Sequence, residues 1–250
     1  MQSLIKIVFW LCTPLVVIAW WNSDNFVPHP AIPVQLTADP AQKKLKAPRF
    51  KASYNDVDYA VVPKYEYEMY GMVVSFRYHD GDRMLHKLWN DHLNVADVCV
   101  VWGSNAVVVD LNAFDFYNGQ FTCNFSTTDR VAWTRFSPRN ISNNHLLSDD
   151  PTMRDRITDL SVGDIIRVRG KLAWYGQVGR QDHQMRKTSV TRDDVGNGAC
   201  ETIYVDDFEV IGSMPNQWRS IFKMALAGSL ISAAIWVFGV GTGRFGHRYG

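Results

Sequence analysis

Three polar clusters in this 250-residue chain hold most of the residue types that could do chemistry. The first runs from Thr188 to Glu201 and sets Arg192, Asp193 and Asp194 beside the turn pair Asn197-Gly198. A cation flanked by carboxylates could reach over the end of a sheet and hold a polar ligand. The plainer reading is a hairpin, with strand up to Arg192, a turn over 193–198 and strand again from Ala199. The second cluster, Ser137 to Asp150, carries Asn143-Asn144-His145 ahead of Leu146-Leu147. It reads as a loop whose Asn and Ser side chains satisfy turns, with His145 tucked at the edge of a core. As a general base, His145 would need Asp97 or Asp193 to orient it and a nucleophile to activate. Ser142 and Ser189 are candidates, but neither sits in a Gly-x-Ser-x-Gly elbow.

The third cluster is His79, Asp80, Asp82, His86, Asp91, His92 and Asp97. On a helix over 81–90, Met84, Leu85, Leu88 and Trp89 would form an apolar face and His86 would fall on the polar side. No His pair then lines up at one helical turn, so a metal would need ligands such as His79, His92 and Asp97 to converge from separate loops. Neither a metal nor a cofactor is expected from these spacings. Of the four cysteines, Cys12 lies in an apolar N-terminal stretch, so Cys99, Cys123 and Cys200 can form at most one disulfide among themselves. Cys99 sits inside an apolar strand run and reads as a small core residue. That leaves Cys123 and Cys200 as the candidate pair.

The elements that must position these groups read as mainly β. From Gly163 to Gly176, Ile166, Val168, Leu172 and Trp174 fall on one parity while Arg167, Arg169, Lys171 and Ala173 fall on the other, the alternation of a strand with one buried face. Gly170 sits mid-run, where such a strand coils or bulges. A short helix from Pro151 to Leu160 precedes it, after the cap-like Ser148-Asp149-Asp150, and a second strand, Thr202 to Ile211, follows. This helix, strand, excursion, strand order resembles the last half of an OB-fold. The resemblance implies an OB-like closed or partly open β-barrel over 64–212, with one or two short helices and earlier strands at Tyr65–Tyr78, Val98–Leu111 and Phe116–Phe125.

Both ends of the chain are apolar. Leu4–Trp21 and Ile221–Val240 are each long enough to span a bilayer as a helix. The expected layout is an anchor over 1–21, a Pro-rich and basic tether over 22–63, the barrel domain over 64–212, a linker over 213–220, a second transmembrane helix over 221–241 and a basic tail over 242–250. The bias of Lys and Arg in the flanks favours both termini inside and the central domain outside. Ala225, Gly228, Ser229 and Ser232 put small side chains on one helical face, which lets another helix approach closely. With Arg219 set aside as a flank of the second stretch, 21 Lys and Arg lie between the apolar stretches against 25 Asp and Glu, a net of −4. That balance argues against nucleic acid as a partner, although Arg167, Arg169 and Lys171 near Trp174 and Tyr175 would suit a stacking groove.

Several motifs occur together: Tyr67 to Val74, Asp97 to Trp102-Gly103, Asn143-Asn144-His145, Gly163 to Gly170, and Ser189 to Glu201 with its Thr-Arg-x-Asp-x-Gly-x-Gly-Ala-Cys-Glu core. This string resembles that of a family of bacterial membrane-anchored proteins with no assigned activity. The resemblance implies an inner-membrane, envelope setting and no particular reaction. The reading carried forward is a non-enzymatic binding or interaction module with the bilayer and another envelope protein as partners. Its expected contact residues are Asp97, Asn144, His145, Arg192 and Asp193. The alternatives are a hydrolase built on His145 with Asp97 or Asp193, and a cytoplasmic single-stranded nucleic-acid binder.

Overall fold

The computed structural model describes residues 2–27, 32–191, 194 and 200–242. The chain falls into two units, one made by residues 28–214 and the other by the two terminal segments, 1–27 and 215–250.

In the terminal unit, α1 (Gln2–Trp21) and α6 (Gln217–Gly241) are the first and last helices among the described residues, and both are long and apolar enough to cross a membrane. They run antiparallel. Thr13 Oγ1 lies 3.0 Å from Ser229 Oγ, and a Cβ on Gly228 would meet Cys12 Sγ at 2.9 Å. The small-residue face therefore has a partner within the chain, with Ala225 and Ser232 almost fully buried. Asn216 clasps the other end of the pair, its Nδ2 donating to the carbonyls of Asn22, Ser23 and Asn25.

The central unit is rich in sheet. In order it comprises β1 (Ala41–Lys44), β2 (Phe50–Tyr54), β3 (Val57–Tyr78), α2 (Met84–Trp89), β4 (Asn94–Val101), α3 (Gly103–Val107), β5 (Asp115–Asn118), β6 (Cys123–Ser126), α4 (Arg130–Arg135), β7 (Ile141–Leu147), α5 (Pro151–Thr158), β8 (Asp164–Gln177) and β9 (Cys200–Ser213). The main sheet follows the path β3-β4-β7-β9-β8, and β8 pairs again with β3, so these five strands form a ring. Four of the five junctions are antiparallel, and β7 with β9 is the parallel one.

Several expectations hold. Asp150 caps α5 by accepting from Thr152 N at 2.8 Å, and Pro151 occupies its first turn. β8 shifts register at Gly170, where a Cβ would stand 2.2 Å from the Tyr204 carbonyl oxygen. β3 is the long first strand of the ring, with its core-facing Met69 and Val73 fully buried.

Others are corrected. The third ring strand is β7, which had read as a loop because it is full of Asn and His. The 116–125 stretch instead forms a separate hairpin, β5-β6, that lies over the sheet: Asn118 accepts from Ser75 Oγ and donates to Asn143 Oδ1. The 22–63 segment is no simple tether, because β1, β2 and the start of β3 lie in it. β2 and β1 occupy one edge of β3 in succession before β4 takes it over. Lys43 and Lys44 sit on β1, while Arg49 and Lys51 pair with Asp182 and Asp58. The alternation of β8 breaks after Leu172, opposite an irregularity in β3 at Pro63/Tyr65. Ala173 and Tyr175, in place of Trp174, then face a core with Tyr59, Val61, Leu93 and Leu147. The helix α2 is inverted relative to its sequence pattern: His86 is buried, whereas Met84, Leu88 and Trp89 are exposed.

The disulfide joins Cys99 in β4 to Cys123 in β6, leaving Cys200 as a thiol. Cys99 faces the hairpin that packs over β4, so its nearest cysteine is on that hairpin. Cys200 stands across two strand junctions, with Asn143 between them.

Candidate functional site

Side chains alternate across a sheet, so residues in register on neighbouring strands share a face. On β4, β7 and β9 one face carries Asp97 and Cys99, Asn143 and His145, and Cys200 and Thr202. Asp97 and His145, nominated from separate clusters, are direct register partners and bond through Asp97 Oδ1 and His145 Nδ1. Asn144, one residue earlier, points to the opposite face, where its Nδ2 donates to Val98 O and Ser142 Oγ. It does not join His145. Arg192 and Asp193 lie outside the described residues.

Around Asp97 the structure gathers groups that the sequence left scattered. Asn94 Nδ2 donates to the same carboxylate oxygen at 3.2 Å, and His79 Nε2 approaches it to 2.9 Å at an angle short of a well-formed hydrogen bond. On the far side of the imidazole, the Arg186 guanidinium donates to His145 Nε2 at 2.7 Å. Arg186, His145 and Asp97 thus form a chain of cation, imidazole and carboxylate. With Nε2 accepting from arginine, Nδ1 carries the proton and donates to Asp97. Burial lowers the proton affinity of His145, the nearby Arg186 and His79 lower it further, and these outweigh the pull of Asp97, so the ring stays neutral below its usual range. Burial works against the charge of Asp97, but His145 and His79 outweigh it and hold the carboxyl well below the usual carboxylate range.

A second buried acid lies alongside. Asp91 accepts from the Tyr175 hydroxyl at 2.7 Å, and His86 Nδ1 stands 3.3 Å away. Burial raises this carboxyl, yet these two neighbours bring it below the ordinary value. Burial also lifts the Tyr175 phenol well above its ordinary value, so it remains a donor. His86 stacks against His79 with centroids 3.9 Å apart, which explains why α2 turns its histidine inward. Phe121 covers the group. It takes a φ of +64°, which bulky side chains rarely adopt, and its ring lies 4.6 Å from His86, 5.3 Å from Trp89 and 4.1 Å beneath the Arg186 guanidinium.

Asp97 and His145 are both 0% exposed, and both His145 nitrogens are occupied. The serine candidates are engaged elsewhere, Ser142 with Asn144 and Ser189 with Asp194 and Thr191. Among the described residues no group of three His, Cys, Asp or Glu is placed to hold a metal ion. His92, a suggested ligand, instead bonds Asn90 through Nε2. Two of the cations of β8 are matched by carboxylates on neighbouring strands: Arg167 by Glu68 at 2.6 Å and Asp207 at 3.2 Å, and Lys171 by Asp206 at 2.6 Å.

What opens to solvent is a pocket of about 270 Å³ beside the sealed cluster, lined by Tyr59, Trp89, Asp91, Tyr175, Arg180 and Arg186 with Gln177 and Gln184. Arg186 is common to both: it is among the residues lining the pocket, and its guanidinium is held by His145 and Phe121. Neither arginine was singled out from the sequence. Arg186 belongs to no recognisable motif, and only its isolated pairing with Tyr175 brings it across the sheet. Comparison of the chain with protein-family models, with curated proteins and with solved structures found no match.

Proposed function

We propose that this chain is a non-enzymatic, membrane-anchored binding module of the bacterial envelope whose central domain holds an anionic group of a ligand or partner protein. In this reading α1 and α6 span the inner membrane, both termini are cytoplasmic, and the strand ring is an OB-like barrel in the periplasm. The barrel reading rests on the strand order, the single parallel junction and the helix α5 between the third and fourth ring strands.

The observation that carries the binding reading is the placement of Arg186. Its guanidinium is oriented from behind by a neutral, fully buried histidine and lies on an aromatic ring, so it is presented to the pocket in a fixed pose. Preorganised arginine suits planar carboxylates and phosphates because it donates through a rigid fork. Arg180 adds a second cation to the same pocket, and Trp89, Tyr59 and Tyr175 supply its apolar walls. The reactive-looking pair, Asp97 and His145, acts through Arg186 and touches no solvent.

The test is titration calorimetry on the full chain in nanodiscs, with succinate and inorganic phosphate as probes. Saturable binding of either, weakened tenfold or more by Arg186→Gln or Arg180→Gln, is the expected result, because hydrogen bonds to charged groups carry about 1.5–3 kcal/mol. No saturable binding of either probe by the wild type overturns the anion pocket. Protease digestion of 28–214 in intact spheroplasts is expected; protection until lysis would overturn the periplasmic orientation.

A further inference from the structure

The helix pair carries a second feature, independent of the central domain. Where the start of α1 lies beside the end of α6, the two helices leave a groove of about 380 Å³, lined by Lys6, Phe9, Trp10, Ser232, Ala233 and Trp236 among others. Ser232 and Ala233 keep its floor low, while Phe9, Trp10 and Trp236 raise its walls. Lys6 is the only charged residue in α1, and neither helix contains an Asp or Glu. No carboxylate of the helix pair can therefore match its ammonium. Lys6 lies four residues beyond Gln2, roughly 6 Å along the axis, within reach of the headgroup layer for a side chain that extends its charge outward.

An apolar cleft with a lysine at headgroup depth and no carboxylate on either helix has the complementarity of a phospholipid: the acyl chain lies over the small residues between aromatic walls, and the phosphate meets Lys6. We propose that this groove is a binding site for one anionic phospholipid. The preference for a net negative headgroup comes from the charge of Lys6, and one such charge near a membrane surface corresponds to roughly a fivefold preference. The proposal rests on the two helices spanning a bilayer and does not depend on the anion pocket.

Native mass spectrometry of the full chain, released from detergent with equal amounts of phosphatidylglycerol and phosphatidylethanolamine, tests it with two variants. Lys6→Gln removes the charge and keeps the cleft; Ala233→Leu fills the cleft and keeps the charge. The expected result is one retained phosphatidylglycerol in the wild type, a roughly fivefold loss in Lys6→Gln and a comparable or larger loss in Ala233→Leu. Equal retention of the two lipids by the wild type, or wild-type retention by either variant, overturns the site. Each variant is also made with Gly228→Cys, whose thiol would lie against Cys12; disulfide formation reports that the helix pair is intact, so loss of lipid is read from the groove alone. Resistance of the protein to extraction from membranes by alkaline carbonate, together with a failed lipid test, would overturn the groove and leave the anchoring reading standing.

Discussion

His145→Gln gives the sharpest test of the buried relay. At neutral pH the substitution takes the acceptor from Arg186 and the main donor from Asp97, leaving two interior charges poorly matched. Breaking such a buried pair costs about 3 kcal/mol or more, or roughly 6–12 °C in melting temperature for a domain of this size. The pH dependence is more diagnostic than the offset. His145 binds its proton less readily folded than unfolded, so the unfolded chain takes up the extra proton as pH falls below about 6.5. The stability that neutral His145 contributes is thus fully present above that value and lost as pH falls towards its lower folded value. One linked proton corresponds to about 1.4 kcal/mol per pH unit, roughly 3–6 °C. Melting curves of the full chain in nanodiscs, taken between pH 7.5 and 5, should show the gap between wild type and variant narrowing at about that rate. A gap that stays constant across this range, or a variant as stable as the wild type at pH 7, would refute the argument.

Three further outcomes are expected. Replacing Cys99 and Cys123 together with Ala should cost about 3–4 kcal/mol in an oxidising buffer, from the loop closed by a sequence separation of 24 residues. Without reduction, alkylation followed by peptide mass mapping should modify Cys12 and Cys200 only, with Cys200 reacting slowly because burial pushes its thiol up to about 11. Gly170→Ala would drive a methyl group into the Tyr204 carbonyl and should destabilise the β8-β9 pairing by about 1–3 kcal/mol. Hydrogen exchange would read this as faster opening of β8 and β9 than of α1 and α6, and unchanged protection would refute it.

What could be read beforehand depended on whether a residue's local pattern matched its final surroundings. The terminal helices, the small-residue face of α6, the capped start of α5 and the bulge at Gly170 all follow from local chemistry, and all were legible. β7 was not. A strand whose two faces are both covered need not alternate, and its Asn143, Asn144 and His145 satisfy polar groups of a hairpin, a neighbouring strand and a distant arginine. The inverted helix α2 misled for the same reason: the stacking of His86 on His79 and its approach to Asp91 outweigh the pattern that would bury Leu88. In the candidate site, Asp97 and His145 were found because their residue types invite chemistry. Arg186 and Phe121 were missed, and Tyr175 was read only as a stacking residue, because their roles arise only when β8, the segment after it and the hairpin close over one face.

The length of β3 also bears on how the protein comes into being. This strand pairs with segments before it, just after it and far after it, with Tyr59 meeting Gln177 and Met72 meeting Ile165. A chain emerging N-terminus first therefore offers a long, apolar strand with one edge filled and the other waiting for roughly a hundred residues of further synthesis. Contacts so distant in sequence slow folding and leave strand edges exposed meanwhile. During synthesis the nascent domain should accordingly need a holding chaperone until β8 arrives, and premature truncation within 101–163 should yield aggregates in place of a folded fragment.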